Sequence, residues 1–126
     1  MFSHIVVGTN DVEAAKRFYD ATLGALGAPE GTLQGDNRIF YRTPTGTFVV
    51  TKPLNGELAT PANGGTIGFT CSSPEQADAW HAAGLASGGV TCEDPPGVRD
   101  MGAVKLYLAY LRDPDGNKLC APHWMS

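Results

Sequence analysis

The strongest constraint on this chain is that its two halves open alike. Residues 2–8, FSHIVVG, form a β-branched run, and TNDVEAAKRFYDATLGALG follows it. Residues 65–71, GTIGFTC, are followed by SPEQADAWHAAGLASGG. A shift of 62 residues lays His4 on Thr66, Ile5 on Ile67, Phe18 on Trp80, Leu23 on Leu85 and Gly27 on Gly89. The matches fall at strand, core and cap positions in one register, as an internal repeat requires. Each β-branched run predicts a strand. In the first half Val12, Ala15, Tyr19, Leu23 and Leu26 recur at steps of three and four, which is one apolar stripe of a helix. Asn10 with Glu13 three residues on forms a capping-box pattern, and Gly27 supplies a stop. In the second half Ser73 is the expected N-cap, with Pro74 at the first helical position and Gln76 completing the box.

Hairpins follow each helix. RIFYRT (38–43) and TFVVTK (47–52) flank Pro44-Thr45-Gly46, and KLYLAYLR (105–112) and NKLCAPH (117–123) flank Asp113-Pro114-Asp115-Gly116. PLNGELATPANGG (53–65) reads as a linker, and EDPPGVRDMGAV as a loop broken by glycine and proline. The unit is therefore βαβββ, present twice. The expected class is α+β, with helices outside a curved, mostly antiparallel sheet. A single domain is expected over 1–126, with repeat one at about 1–56, a linker at about 57–64 and repeat two at about 65–126.

At 126 residues and 42% hydrophobic, such a chain can bury a core without staples. Its formal net charge of −4, with no cluster of Lys or Arg, gives no counterion-release drive toward nucleic acid and no pull toward an anionic membrane. No apolar run is long enough to span a bilayer, and no basic segment precedes an apolar one at the start. Three cysteines, Cys71, Cys92 and Cys120, have no short paired spacing, so reduced thiols and a cytoplasmic location are expected.

Two βαβββ units, with HIVVGTNDVEAAKRFY at the front and AYLRDPDGNKL at the back, resemble the vicinal oxygen chelate superfamily of glyoxalase, bleomycin-resistance and dioxygenase proteins. The resemblance spans essentially the whole chain. It implies paired units enclosing a cavity for a small polar or anionic molecule, commonly in a homodimer. It also implies a divalent ion (zinc, nickel, manganese or iron) held by residues of the first and last strands of each unit, although metal-free relatives exist. Checked position by position, the ligand set is incomplete. His4 stands where a first-strand ligand is expected, and Val50 or Thr51 stands where the first unit should offer Glu. Thr66 replaces the second first-strand ligand, and Cys120 replaces the final Glu.

Two readings therefore stay open. In the first, His4 and Cys120 are metal ligands or catalytic groups of a glyoxalase-type lyase or isomerase. Proton abstraction beside a carbonyl would then be assisted by a bound ion, or by a neutral imidazole acting as general base. In the second, the lost ligands mark a metal-free binding or sequestering protein, with Cys120 a small buried hydrophobe and His4 a hydrogen-bonded strand residue. Thr66, Lys52, Arg99, Tyr107 and Tyr110 are the polar groups expected to meet a ligand, Lys52 as the charge for an anion. Asp100 and His123 are further metal candidates, but alternation along a strand turns His123 to the face opposite Cys120. Phe18, Trp80 and Trp124 read as packing.

Overall fold

Each half of the chain builds its own sheet. In the computed structural model, which describes residues 1–125, the first sheet contains β1 (His4–Gly8), β2 (Thr32–Gln34), β3 (Arg38–Thr43) and β4 (Gly46–Thr51). Its strand order is β1-β4-β3-β2. The second contains β5 (Ile67–Gly68), β6 (Val90–Thr91), β7 (Gly97–Asp100), β8 (Lys105–Arg112) and β9 (Lys118–Trp124), ordered β5-β9-β8-β6 with β7 also paired to β8. In both sheets the leading strand runs parallel to the last and the remaining pairs are antiparallel. The α+β architecture read from the sequence is thus present, as two sheets.

Helices α1 (Val12–Ala25) and α2 (Pro74–Ala86) pack against each other, and α2 lies over β8 and β9. Both begin as their sequences dictate, with one exchange of roles. Asp11, not Asn10, caps α1, accepting from the Ala14 amide at 3.0 Å. Asn10 instead clasps the linker, bonding both the N–H and the carbonyl of Ala59. Ser73 caps α2 as expected, and Gln76 bonds back to the Ser72 amide. α2 is one residue shorter than α1, so its stop glycine is Gly88 (φ 98°) rather than Gly89, matching Gly27 (φ 91°). Gly89 has a different task. A Cβ there would lie 2.5 Å from the Phe18 ring and 3.0 Å from two carbonyl oxygens.

Two strand expectations need correction. Residues 97–100 were expected in a loop but form a strand, whose pairing (Val98 with Tyr107, Arg99 with Leu106) comes from β8 and not from their own composition. GTIGFTC gives a regular ladder only at Ile67–Gly68, although the Phe69 and Cys71 amides still reach the carbonyls of Cys120 and Pro122. Pro122 has no N–H to return, so the ladder is one-sided there. The helix-facing sides of both sheets join the helices in one core that includes Phe18, Tyr19, Tyr41, Val50, Trp80, Leu111 and Leu119. Its aromatic rings form a chain: Phe18 meets Tyr19 edge-on at 4.9 Å, Tyr19 meets Phe48 at 4.9 Å, and Phe48 meets Phe69 edge-on at 5.1 Å. The last contact joins the two sheets.

The halves are also tied through a buried carboxylate. Asp113, in the turn between β8 and β9, accepts from the Tyr19 hydroxyl (2.5 Å), the Asn117 side chain (2.9 Å) and the amides of Asp115 and Asn117 (both 2.9 Å). Asn117 also donates to the Gly8 carbonyl at 3.1 Å, and Asp115 accepts from the Asn10 amide at 2.8 Å. Burial pushes the Asp113 carboxyl above the ordinary aspartate value, while these donors pull it down. The group's contribution to stability is complete below its unfolded-state pKa and is lost as pH rises through the higher folded-state value. Tyr19→Phe removes a donor to the ionised form and should raise that folded-state value further. Its expected cost at pH 7 is about 1.5–3 kcal/mol, as for a hydrogen bond to a charged group, and less at pH 4, where protonation weakens the bond. Urea unfolding at the two pH values checks both size and direction.

Candidate functional site

β1 and β5 are both edge strands, and they do not pair with each other. Between them, the C-terminal end of α1 and the β3–β4 turn, a groove of about 580 Å³ opens. Phe48 and Phe69 give it apolar walls, with Ile5, Leu23 and Leu26 beside them. Its polar groups are hydroxyls, among them Thr43, Thr45 and Thr47 from the turn and Thr70 from the β5 side, together with the His4 imidazole. None of its described lining residues is Lys, Arg, Asp, Glu or Cys. Tyr41 is a wall rather than a donor. Its hydroxyl is held by Asp20 at 2.8 Å, and burial followed by that carboxylate pushes its pKa far up. Lys16 and the Gly31 amide complete the Asp20 cluster, whose carboxyl ends below its ordinary value although burial pulls it upward.

The residues singled out from sequence do not converge on one place. His4 is exposed at the groove rim, its Nδ1 2.7 Å from the Ser3 hydroxyl, and it stands beside Thr47 in the β1–β4 register. Thr66 precedes β5 and lies outside the groove lining, which begins at Ile67. Cys120 is buried on β9, on the face opposite Leu119 and Ala121, and is not a groove residue. Across the ladder from it stands Tyr110. Burial drives the Cys120 thiol up to about 11, and Tyr110 offsets only part of that. Lys118 sits over the Tyr110 ring and pairs with Glu93 of the loop before β7.

The other candidates are engaged elsewhere. The Arg99 guanidinium is bonded to the carbonyls of Asp94, Pro95 and Gly97, all at 3.1 Å, and so clamps its own loop. Asp100 closes the following turn by accepting from the Gly102 amide. The Tyr107 hydroxyl donates to Asp78 of α2 at 2.6 Å, and this bond, with burial, raises its pKa. His123, opposite Tyr107, approaches the Cys71 carbonyl at 3.3 Å and shares Tyr107's helix-facing side, away from Cys120. Lys52 lines a different, polar pocket at the far end of β4. Trp124 is 63% exposed, so it does not pack in the core as expected, whereas Phe18 and Trp80 are fully buried.

A sequence model of the glyoxalase/bleomycin resistance protein/dioxygenase superfamily matches residues 1–121. The chain belongs to that superfamily. It is 61% identical to a glyoxalase/bleomycin resistance protein from Albidiferax ferrireducens T118, over 97% of this chain and 98% of that one, with a TM-score of 0.94. A glyoxalase-related enzyme from Fulvimarina pelagi (18% identity, 97% and 86% coverage, TM-score 0.72) shares the fold. So does a glyoxalase/bleomycin resistance protein/dioxygenase family enzyme from Burkholderia phytofirmans PsJN (16% identity, 98% of both chains, TM-score 0.72). No curated protein matches the chain.

Against the metal centre that this superfamily often carries, the donors fit poorly. A catalytic zinc takes three protein ligands plus an open position, and thiolate rather than thiol is the ligand. Among the described residues no three of His, Cys, Asp and Glu come together, and His4 is the groove's one such side chain. Cys120 would have to ionise in a site that opposes it. Sequence reasoning missed the groove's threonines and the Phe48–Phe69 wall, because residues so ordinary acquire a role only when separate segments meet. The thiols give a direct check. With Cys92 replaced by Ser, the folded protein should take up almost no iodoacetamide at pH 8 within an hour, and unfolding should expose Cys71 and Cys120 together. Rapid native labelling of Cys120 would place its sulfur at an open surface.

Proposed function

We propose that this protein is a metal-independent small-molecule binding member of its superfamily, with the ligand seated in the groove between β1, the β3–β4 turn and β5. The observation that carries this reading is the lining: apolar walls, a row of threonine hydroxyls and one imidazole, with no carboxylate or thiol to join His4 around an ion. The volume, about 580 Å³, lies within the usual range for small-molecule sites, and mostly apolar walls with few polar groups are typical of them. The favoured ligand class is a neutral molecule with an apolar body and a hydrogen-bonding edge. An anion would find no Lys or Arg among the described lining residues. A homodimer is part of the proposal, since exposed Phe2, Trp124 and Met125 offer apolar area that a second copy would cover.

A catalytic reading rests on His4 alone. It is the one lining side chain suited to take a proton from a carbon beside a carbonyl, and its Nδ1 is already engaged with Ser3. Two measurements separate the readings. Protein purified without chelator or affinity tag should contain well under one divalent ion per chain, and His4→Ala should leave that content unchanged. Nile red, a neutral apolar dye, should bind saturably, and Thr45→Trp, which crowds the groove mouth, should weaken it at least tenfold. One tightly held ion per chain, lost in His4→Ala, would favour the lyase or isomerase reading instead. Light scattering at the mass of one chain would remove the dimer.

A further inference from the structure

At the other end of the β1–β4 pair, roughly 15 Å along the strands from the groove, lies a second pocket of about 440 Å³. Its floor is formed by the strand ends (Thr9, Arg38, Thr51) and its wall by the linker from Lys52 to Leu58. We infer that this pocket binds a small anion bearing a carboxylate or phosphate, through the guanidinium of Arg38 and the ammonium of Lys52.

The wall is built rather than draped. Asn10 bonds the linker backbone twice, at Ala59 N–H (2.7 Å) and Ala59 carbonyl (3.1 Å). Ala59 packs so tightly on Gly8 that a Cβ on the glycine would lie 2.9 Å from the alanine methyl. A turn, Gly56 N–H to Pro53 carbonyl at 3.2 Å, shapes the linker between, and the Lys52 amide is fixed to the Asn37 carbonyl at 2.9 Å. The linker's position is therefore set at both ends.

The charges lining the pocket are free to act, and Lys52 is exposed to solvent. Arg38 is half-buried, and its Nε donates to the Thr51 hydroxyl at 3.2 Å, which orients the guanidinium. Among the described residues neither Arg38 nor Lys52 has a carboxylate within ion-pairing distance. The pocket's one acid, Glu57, is bonded to the Asn55 side chain at 2.9 Å. Two unpaired cations against one engaged carboxylate leave the pocket net positive in a chain of formal charge −4. Arg38 can offer the two remaining arms of its fork to a pair of oxygens, and Lys52 a point charge beside them. This site is separate from the groove, shares none of its residues, and stands whether or not the groove reading does.

The test is calorimetric titration with inorganic phosphate and, separately, with malonate at low ionic strength, with potassium chloride at matched ionic strength as the blank. One saturable site per chain is expected for one or both anions, which also names the preferred oxygen geometry. Arg38→Gln and Lys52→Gln should each weaken it at least tenfold, and Arg38→Lys, keeping charge but losing the fork, should fall between. Arg42→Gln is the control. Arg42 shares the strand but rests on the Phe40 ring, 4.5 Å from its centroid, outside the pocket, and binding should be unchanged. Thermal unfolding of each variant without anion shows that it is folded before titration. No saturable site above the chloride blank, wild-type affinity in both Gln variants, or an equal loss in Arg42→Gln would overturn the inference.

Discussion

The arrangement depends on one buried carboxylate. Taking Asp113 out of water is costly unless its charge is met by donors, and four hydrogen bonds meet it. Two of those come from its own turn backbone, which is what Asp-Pro-Asp-Gly-Asn is suited to provide. The one from Tyr19 comes from the opposite half of the chain, and Tyr19 also stands in the aromatic chain that leads to Phe48 and Phe69. A single side chain thus couples the turn of the second sheet to the helix of the first and to the contact between sheets. The opening segment and the closing turn of the chain thus meet in the fold.

The repeat makes the opposite end informative. Laid on one another, Asp113-Pro114-Asp115-Gly116 corresponds to Thr43-Pro44-Thr45-Gly46, Asn117 to Thr47, and Gly8 to Thr70. At one end carboxylates and an amide bridge the gap and seal the turn onto the strand–helix junction. At the other end the threonines are shorter. Thr43 turns back to the Gly46 carbonyl and to Thr45, closing the turn on itself. Tyr19 has His81 as its counterpart, and His81 is buried beside Thr91, with its pKa lowered by that burial, rather than bonded to the turn. Thr47 and Thr70 both line the groove. The first turn carries threonines where the second carries the groups that dock it.

Much of this fold was legible in one dimension because its signals are local. β-branched runs, the stripe from Val12 to Leu23, the Ser73 cap and the proline–glycine turns each act within a few residues. Where two local signals competed, the outcome was set from afar. Asn10 and Asp11 are both good caps, and Ala59, distant in the chain, decided between them. β2, β6 and β7 are short strands whose order is lent by β3 and β8. The site was less legible for the same reason. His4 does line the groove, but Arg99 and Tyr107, attractive as charged or polar groups near a loop, had already found partners. The sequence left Cys120 between a ligand and a small buried hydrophobe, since the burial that holds its proton comes from tertiary packing.

Arg38 illustrates the limit from the other side. In sequence it is the first residue of an alternating strand, with nothing to separate it from Arg42. Register separates them. Arg38 pairs with Thr51 at the strand end, where the linker folds over it, whereas Arg42 pairs with Thr47 and lies on Phe40. Lys52, just past the end of β4, lines the same polar pocket, so two positively charged residues border it. An anion held there would be met by both charges, with half-buried Arg38 less screened by water than exposed Lys52. The chain's overall negative charge works against capture at long range. Recognition there must come from the short-range geometry of the fork and the ammonium, and that geometry is held by the Thr51 hydroxyl and by Asn10's grip on the linker.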